Sequence, residues 1–295
     1  MKVSIDVMLI TLQVELTGKS DDDLVIIYNR VPKTGSTSFA GIAYDLCSRN
    51  KFHVLHVNTT KNTHVLPLSD QVRFVQNVTH WNSVKPAIYH GHLAFLDFAR
   101  FGVARKPLYI NIIRNPLDRL VSYYYFVRYG DDFRPNLRRR KAGNTETFDE
   151  CVVKGGNDCD PIHLWLQIPF FCGQDAECWY VPPGSMWALE KAKYNLLQNY
   201  LVVGMTEQLG DFIAVMEATL PRLFKGAVGL FNEGRKSHLR KTSHKIPPKP
   251  ETVKKIQNSH IWKMEQAFYE FIFEVVDNAY VEKGNLFHYE KIRPR

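Results

Sequence analysis

Cysteine is scarce, five residues in a chain of 295, and no two of them form a C-x-x-C pair. That absence argues against a zinc ribbon or finger, whose ligands come in such pairs. There is no internal repeat and no low-complexity tract. Nothing resembles an RNA-recognition motif, a zinc finger or a basic zipper, so nucleic acid is not the expected partner. No strand-like run ends in the aspartate of a Walker-B element, which disfavours a P-loop kinase. The apolar stretch from Met1 to Leu16 is broken by Asp6, Gln13 and Glu15. It is too short and too polar to span a bilayer, and it lacks the clean apolar core and cleavage site of a signal peptide. A membrane anchor is therefore not visible in this chain.

What is present begins with charge. The formal net charge is +8, with 45% hydrophobic residues to supply a core. Such a balance points to a polyanionic partner, whether acidic lipid or acidic polysaccharide. Cys47 stands alone, whereas Cys151, Cys159, Cys172 and Cys178 crowd into one segment rich in aromatic residues. Two short disulfides, Cys151–Cys159 and Cys172–Cys178, are the simplest reading among three connectivities, with a zinc site as the competitor. Disulfides place the chain in an oxidising compartment. The sequons Asn58-Thr59-Thr60 and Asn77-Val78-Thr79 agree, making Asn58 and Asn77 candidate glycosylation sites.

Short β-branched runs alternate with helical patterns. Strands are expected at 24–29, 52–57, 87–92, 107–113, 200–205 and 286–292. Helices are expected at 37–49, 117–129, 185–198, 207–224 and 252–276. Residues 131–183 read as irregular and disulfide-bound, and 236–250 as a basic, Pro-rich loop. This alternation predicts an α/β fold with a mainly parallel central sheet flanked by helices. The aromatic residues from Trp165 to Trp179 read as a small core, as do Trp262, Phe268, Phe271 and Phe273.

The richest stretch is Val25 to Phe39, in which an apolar strand runs into Arg30-Val31-Pro32-Lys33-Thr34-Gly35-Ser36-Thr37-Ser38. A glycine and hydroxyls at a helix start make an anion cradle: the backbone approaches closely, and N–H groups and the helix dipole face the ligand. The lysine precedes the glycine, unlike the nucleotide P-loop G-x-x-x-x-G-K-[ST]. A second basic strand end, Ile112-Ile113-Arg114-Asn115-Pro116, leads to Ser122 two helical turns on. Ligands of open α/β sheets collect at such carboxyl ends. In Tyr89-His90-Gly91-His92 the two histidines fall on one face of a strand, and imidazole is suited to taking a proton near neutral pH.

These features resemble the sulfotransferases that use 3′-phosphoadenosine 5′-phosphosulfate. Within them the chain is most similar to the heparan sulfate 2-O-sulfotransferase family, through Arg30 to Ser38, Tyr89 to His92, Ile113 to Tyr125 and Leu137-Arg138-Arg139-Arg140-Lys141. Trp165 to Gly173, Ser237-His238-Leu239-Arg240-Lys241-Thr242 and Ile261 to Glu265 extend the likeness from about Leu24 to the C-terminus. The resemblance implies a P-loop-like sulfotransferase architecture over 24–295, with a disulfide-bound insertion at about 131–183. Residues 1–23 then form an N-terminal segment or stem remnant. It implies that Lys33, Thr34, Gly35, Ser36, Thr37 and Ser38 hold the 5′-phosphosulfate, and that Arg114 and Ser122 hold the 3′-phosphate. His92 becomes the general base and Lys33 the stabiliser of the leaving group. Acceptor contacts fall to Arg30, Tyr44, His56, His90, Asp131, Arg134, Arg139, Arg140, Arg240 and Lys291. The acceptor is the 2-hydroxyl of a hexuronic acid, mainly iduronate, in heparan sulfate. No metal is implied, and the expected setting is a homotrimer in the Golgi lumen. The alternatives are the same chemistry on chondroitin or dermatan sulfate, or a non-catalytic heparin-binding protein in which these loops are plain basic turns.

Overall fold

A computed structural model describes residues 21–59, 63–179, 183–234 and 241–283. Five parallel strands form one sheet: β1 (Val25–Asn29), β2 (His53–His56), β3 (Ala87–Gly91), β4 (Leu108–Ile113) and β5 (Tyr200–Met205), in the order β2-β3-β1-β4-β5. The chain crosses from one side of β1 to the other between β3 and β4. The carboxyl end of β1 is thus the switch point where a crevice opens.

The three central strands, β3, β1 and β4, are buried on both faces, as continuous apolar runs require, while β2 at the edge is partly exposed. Their period of two sorts the side chains. Ile26, Tyr28, Ile110 and Ile112 face α1 (Ser36–Cys47) and later helices through Phe39, Ile42, Phe212 and Phe224. Val25, Ile27, Tyr89 and Tyr109 face the other way, against Phe170, Phe171, Leu189 and Phe268. A polar knot sits beneath the switch point. Asn111 Nδ2 donates to the carbonyl and side-chain oxygens of Asn29 at 2.8 and 3.0 Å, Tyr200 Oη donates to Asn29 Oδ1, and Asn29 Nδ2 donates to the Phe170 carbonyl. Every partner is buried and satisfied, so the knot ties β1, β4 and β5 together.

After β2 comes α2 (Leu68–His80), which the sequence reading missed; it buries only Val75 and Val78, too thin an apolar stripe to stand out. Next, α3 (Pro116–Tyr129) starts as expected, with Asn115 capping two backbone N–H groups. The segment expected to be irregular contains α4 (Phe148–Lys154), α5 (Gln167–Cys172) and α6 (Ala176–Trp179). A capping box begins α4, with Thr147 and Glu150 bonding reciprocally, and its S/T-x-x-E signature was readable in advance. Both expected disulfides, Cys151–Cys159 and Cys172–Cys178, are present. The aromatic residues of this segment are largely core: Trp165, Phe170 and Phe171 are buried.

The remaining helices are α7 (Met186–Asn199), α8 (Leu209–Thr219), α9 (Pro221–Phe224), α10 (Ala227–Asn232), α11 (Pro250–Gln257) and α12 (His260–Lys283). The single helix expected over 207–224 is instead broken at Leu220, because Pro221 has no N–H to continue it and its ring obstructs the preceding turn. The helix expected over 252–276 is likewise divided. Ser259 Oγ accepts the Trp262 N–H and caps a second start. The expected terminal strand at 286–292 lies outside the described residues. No helix among the described residues is long and apolar enough to cross a membrane.

Candidate active site

The loop after β1 is built for close approach. Gly35 has φ +71°, Lys33 has φ 69°, and α1 starts with no side-chain cap over its first N–H groups. Thr34 is buried with its hydroxyl donating to Val31 O, so it offers a ligand its backbone alone. Ser36 and Ser38 are buried too, and Thr37 Oγ1 accepts from Arg30 at 3.2 Å. Thr206, just past β5, pins the loop: its hydroxyl lies 2.9 Å from both the Thr34 and Ile113 carbonyls.

The second basic strand end meets this loop. Arg114 donates from NH1 to Lys33 O at 3.3 Å. Ser122 projects from α3, with Thr242 Oγ1 3.2 Å from its hydroxyl, and the Lys33 ammonium donates to that same Thr242 at 3.1 Å. Thr242 is brought in by backbone pairing of 241–243 with 130–132, including a bridge between Asp131 and Thr242. Lys33, Arg114 and Ser122 therefore share one crevice. Thr242 had entered the sequence reading only as the end of a motif. Lys245 is another addition, its pKa lowered by burial and by the nearby Arg114 charge.

β3 supplies the histidines. Gly91 between them is obligatory, since a Cβ there would stand 2.5 Å from Val57 O. His92 Nδ1 donates to Arg30 O at 2.7 Å, which in the neutral ring leaves the lone pair on Nε2. The His92 carbonyl in turn accepts from His64 Nδ1 at 3.0 Å, and His64 is stacked on Trp179. Sequence reasoning passed over His64, for which no local pattern exists.

His90 does different work. It is buried, and its Nδ1 accepts from Arg30 NH1 at 3.1 Å, because guanidinium can only donate. The ring proton therefore sits on Nε2 and is given to Tyr44 Oη at 2.9 Å. Burial first, then the charges of Arg30, His56 and His92, hold the His90 pKa down to about 3. It stays neutral and orients Tyr44, which is half exposed. His56 lies beside it, ring centres 5.0 Å apart, with its own pKa lowered by burial and Arg30.

The acceptor-side cations divide into anchored and open. Arg139 bonds the buried Asp131 carboxylate at 3.0 Å and lies over Phe126. Asp131 also accepts the Arg134 N–H at 3.2 Å, so its carboxylate faces protein groups. Arg134 and Arg140 are exposed, and a cavity of about 330 Å³ opens between Tyr123, Phe126, Leu137 and Arg138–Arg140. Arg240 and Lys291 lie outside the described residues. Asn58 and Asn77 are both exposed. Deeper in, Arg119, uncommitted in the sequence, is buried and donates to the His163 and Leu164 carbonyls.

The comparisons agree with this geometry. A sequence model of the sulfotransferase family matches residues 19–272. Heparan sulfate 2-O-sulfotransferase 1 of Gallus gallus is 61% identical over 292 residues, 95% of this chain and 82% of that protein. The Homo sapiens protein of the same name is 59% identical over the same shares. The heparin sulfate O-sulfotransferase of Drosophila melanogaster is 57% identical over 285 residues, 93% of this chain and 80% of its own. With the family matched across most of its length and an anion cradle at the switch point of a parallel sheet, the chain belongs to the sulfotransferase family.

Proposed function

We infer that this enzyme transfers a sulfuryl group from 3′-phosphoadenosine 5′-phosphosulfate to the 2-hydroxyl of a hexuronic acid in heparan sulfate. The observation that carries the reading is the convergence of both basic strand ends: Arg114 bonds the Lys33 backbone, while the Lys33 ammonium and the Ser122 hydroxyl meet at Thr242. The donor fits the residues present. Arg114 Nε is buried with no hydrogen-bond partner among the described residues, and Lys245 is crowded by Arg114. A 3′-phosphate satisfies both.

The donor supplies an activated sulfuryl group. Arg114, Ser122 and Lys245 bind its 3′-phosphate, and the backbone from Gly35 to Thr37 binds its 5′-phosphate at the start of α1. His92 Nε2 takes the proton of the acceptor hydroxyl, whose oxygen bonds to sulfur as the bridging phosphate–sulfate bond breaks. The Arg30 carbonyl steadies the imidazolium through Nδ1. Lys33 neutralises charge arriving on the departing phosphate. Arg139, Arg134, Arg140 and Arg240 bind acceptor sulfates and carboxylates, with Lys291, His56 and Tyr44 completing the contacts. The resemblance further supports a homotrimer and residence in the Golgi lumen.

Incubation with labelled donor and N-sulfated, 2-O-desulfated heparin, followed by disaccharide analysis, tests the function. Label in 2-O-sulfated uronate is expected. Label confined to chondroitin or dermatan acceptors, or heparin binding without transfer, overturns it.

A further inference from the structure

β4 ends at Ile113, so the backbone of Arg114 has left the sheet ladder. Its two polar groups are nevertheless both paired, and by one side chain. Arg114 N donates to Gln167 Oε1 at 2.9 Å, and Gln167 Nε2 donates to Arg114 O at 2.9 Å. The amide of Gln167 stands where another strand would.

Gln167 is in turn held from behind. It is fully buried at the start of α5, as is Glu265 of α12. Glu265 Oε1 accepts the N–H groups of Leu166 at 2.9 Å and Ile168 at 3.0 Å, while Oε2 accepts Gln167 N at 3.3 Å and Gln167 Nε2 at 3.4 Å. The carboxylate fills the turn where α5 has no cap of its own. It also fixes the amide orientation: with Nε2 claimed by an acid and a carbonyl, Oε1 can face only the Arg114 N–H. Buried Arg119, two carbonyl bonds away at residues 163 and 164, places a cation against this acid.

We propose that Gln167, oriented by Glu265, is a positioning residue that aims Arg114 at the 3′-phosphate of the donor. The chain of contacts runs from α12 through α5 to the end of β4, then from the Arg114 guanidinium to the Lys33 carbonyl. Of its members only Arg114 and Lys33 face the donor, and Gln167 bonds Arg114 alone of the two. This rests on Arg114 being the 3′-phosphate ligand. Its consequence is selective: Gln167 contributes chiefly to recognition of the 3′-phosphate.

The test is calorimetric binding of 3′-phosphoadenosine 5′-phosphate and of adenosine 5′-phosphate to the full chain. Gln167→Met, which keeps the volume and removes the amide, should weaken the bisphosphate about 5- to 20-fold and the monophosphate less than about twofold, as expected for losing one or two buried hydrogen bonds. The donor KM should rise with kcat retained. Glu265→Gln should show the same selectivity, smaller in size. A Gln167→Met protein that weakens both ligands equally, or neither, overturns the proposal. Arg114→Ala separates the layers: it should erase the preference for the bisphosphate, and if it does not, the donor reading at Arg114 falls and this inference with it. Should Gln167→Met not fold, hydrogen exchange on the wild-type chain decides. The Arg114 amide should be protected like the amides of β4, and exchange at the rate of a solvated loop refutes the clamp.

Discussion

The Lys33 ammonium rests 4.2 Å from the centre of the Phe126 ring, and the Arg139 guanidinium lies 4.4 Å from the same centre. One aromatic side chain thus holds the cation assigned to the donor and a cation assigned to the acceptor.

Removing that ring should affect both substrates together. Cation–π contacts are worth about 0.5–2 kcal/mol each, so Phe126→Leu is expected to lower kcat/KM roughly 5- to 50-fold, with KM raised for donor and acceptor alike. Phe126→Tyr keeps the ring face and should stay within about threefold of wild type. Steady-state kinetics with each substrate varied in turn checks this, and a defect confined to one substrate argues against the shared platform.

His92→Ala should remove the base and little else. Loss of general-base catalysis costs about 10²–10⁴-fold, so kcat should fall by that factor while 3′-phosphoadenosine 5′-phosphate binds within about twofold of wild type. A folded variant with near-normal turnover eliminates His92 as the base.

His90 makes a prediction in pH. Its folded pKa is depressed to about 3 from the ordinary 6.5. As pH falls through 6.5 the unfolded chain takes up this proton and the folded chain refuses it. The stability is therefore present above that range and is lost progressively toward pH 3. Between pH 7.5 and 5, wild type should lose up to about 2 kcal/mol more than His90→Asn, at about 1.4 kcal/mol per pH unit below 6.5. Denaturant melts of both proteins at the two pH values measure it. Nitrogen-15 spectra at pH 5 should show a neutral ring protonated on Nε2.

Gly91→Ala tests the packing of the site's central strand. The added carbon would meet the Val57 carbonyl at 2.5 Å, a backbone atom that cannot simply rotate away, with Leu93 close behind. A cost of about 2 kcal/mol or more in stability is expected. Displacement of His90 and His92 should lower activity further than the melting temperature alone explains.

Much of this architecture was legible in advance because it is local. The β-branched runs announced β1, β4 and β5 within a residue. The Lys33–Ser38 turn carries its chemistry in consecutive residues. What was misread is also local physics: Pro221 cutting one helix and Ser259 restarting another. The thin stripe of α2 offered too few buried positions to notice.

The amino-acid order by itself pointed to an anion-binding turn, to two short disulfides as the simplest pairing and, through alternating strands and helices, to a mainly parallel sheet, since each leaves a pattern along the chain. Only the tertiary structure decided that Thr242 joins Lys33 across 209 residues, that Gln167 pairs with Arg114 across 53, and that Glu265 stands behind it across 98. Such partners are chosen by burial. Once the core excludes water, every enclosed donor and acceptor must find its match wherever the fold has brought one, and no periodicity along the chain records that choice.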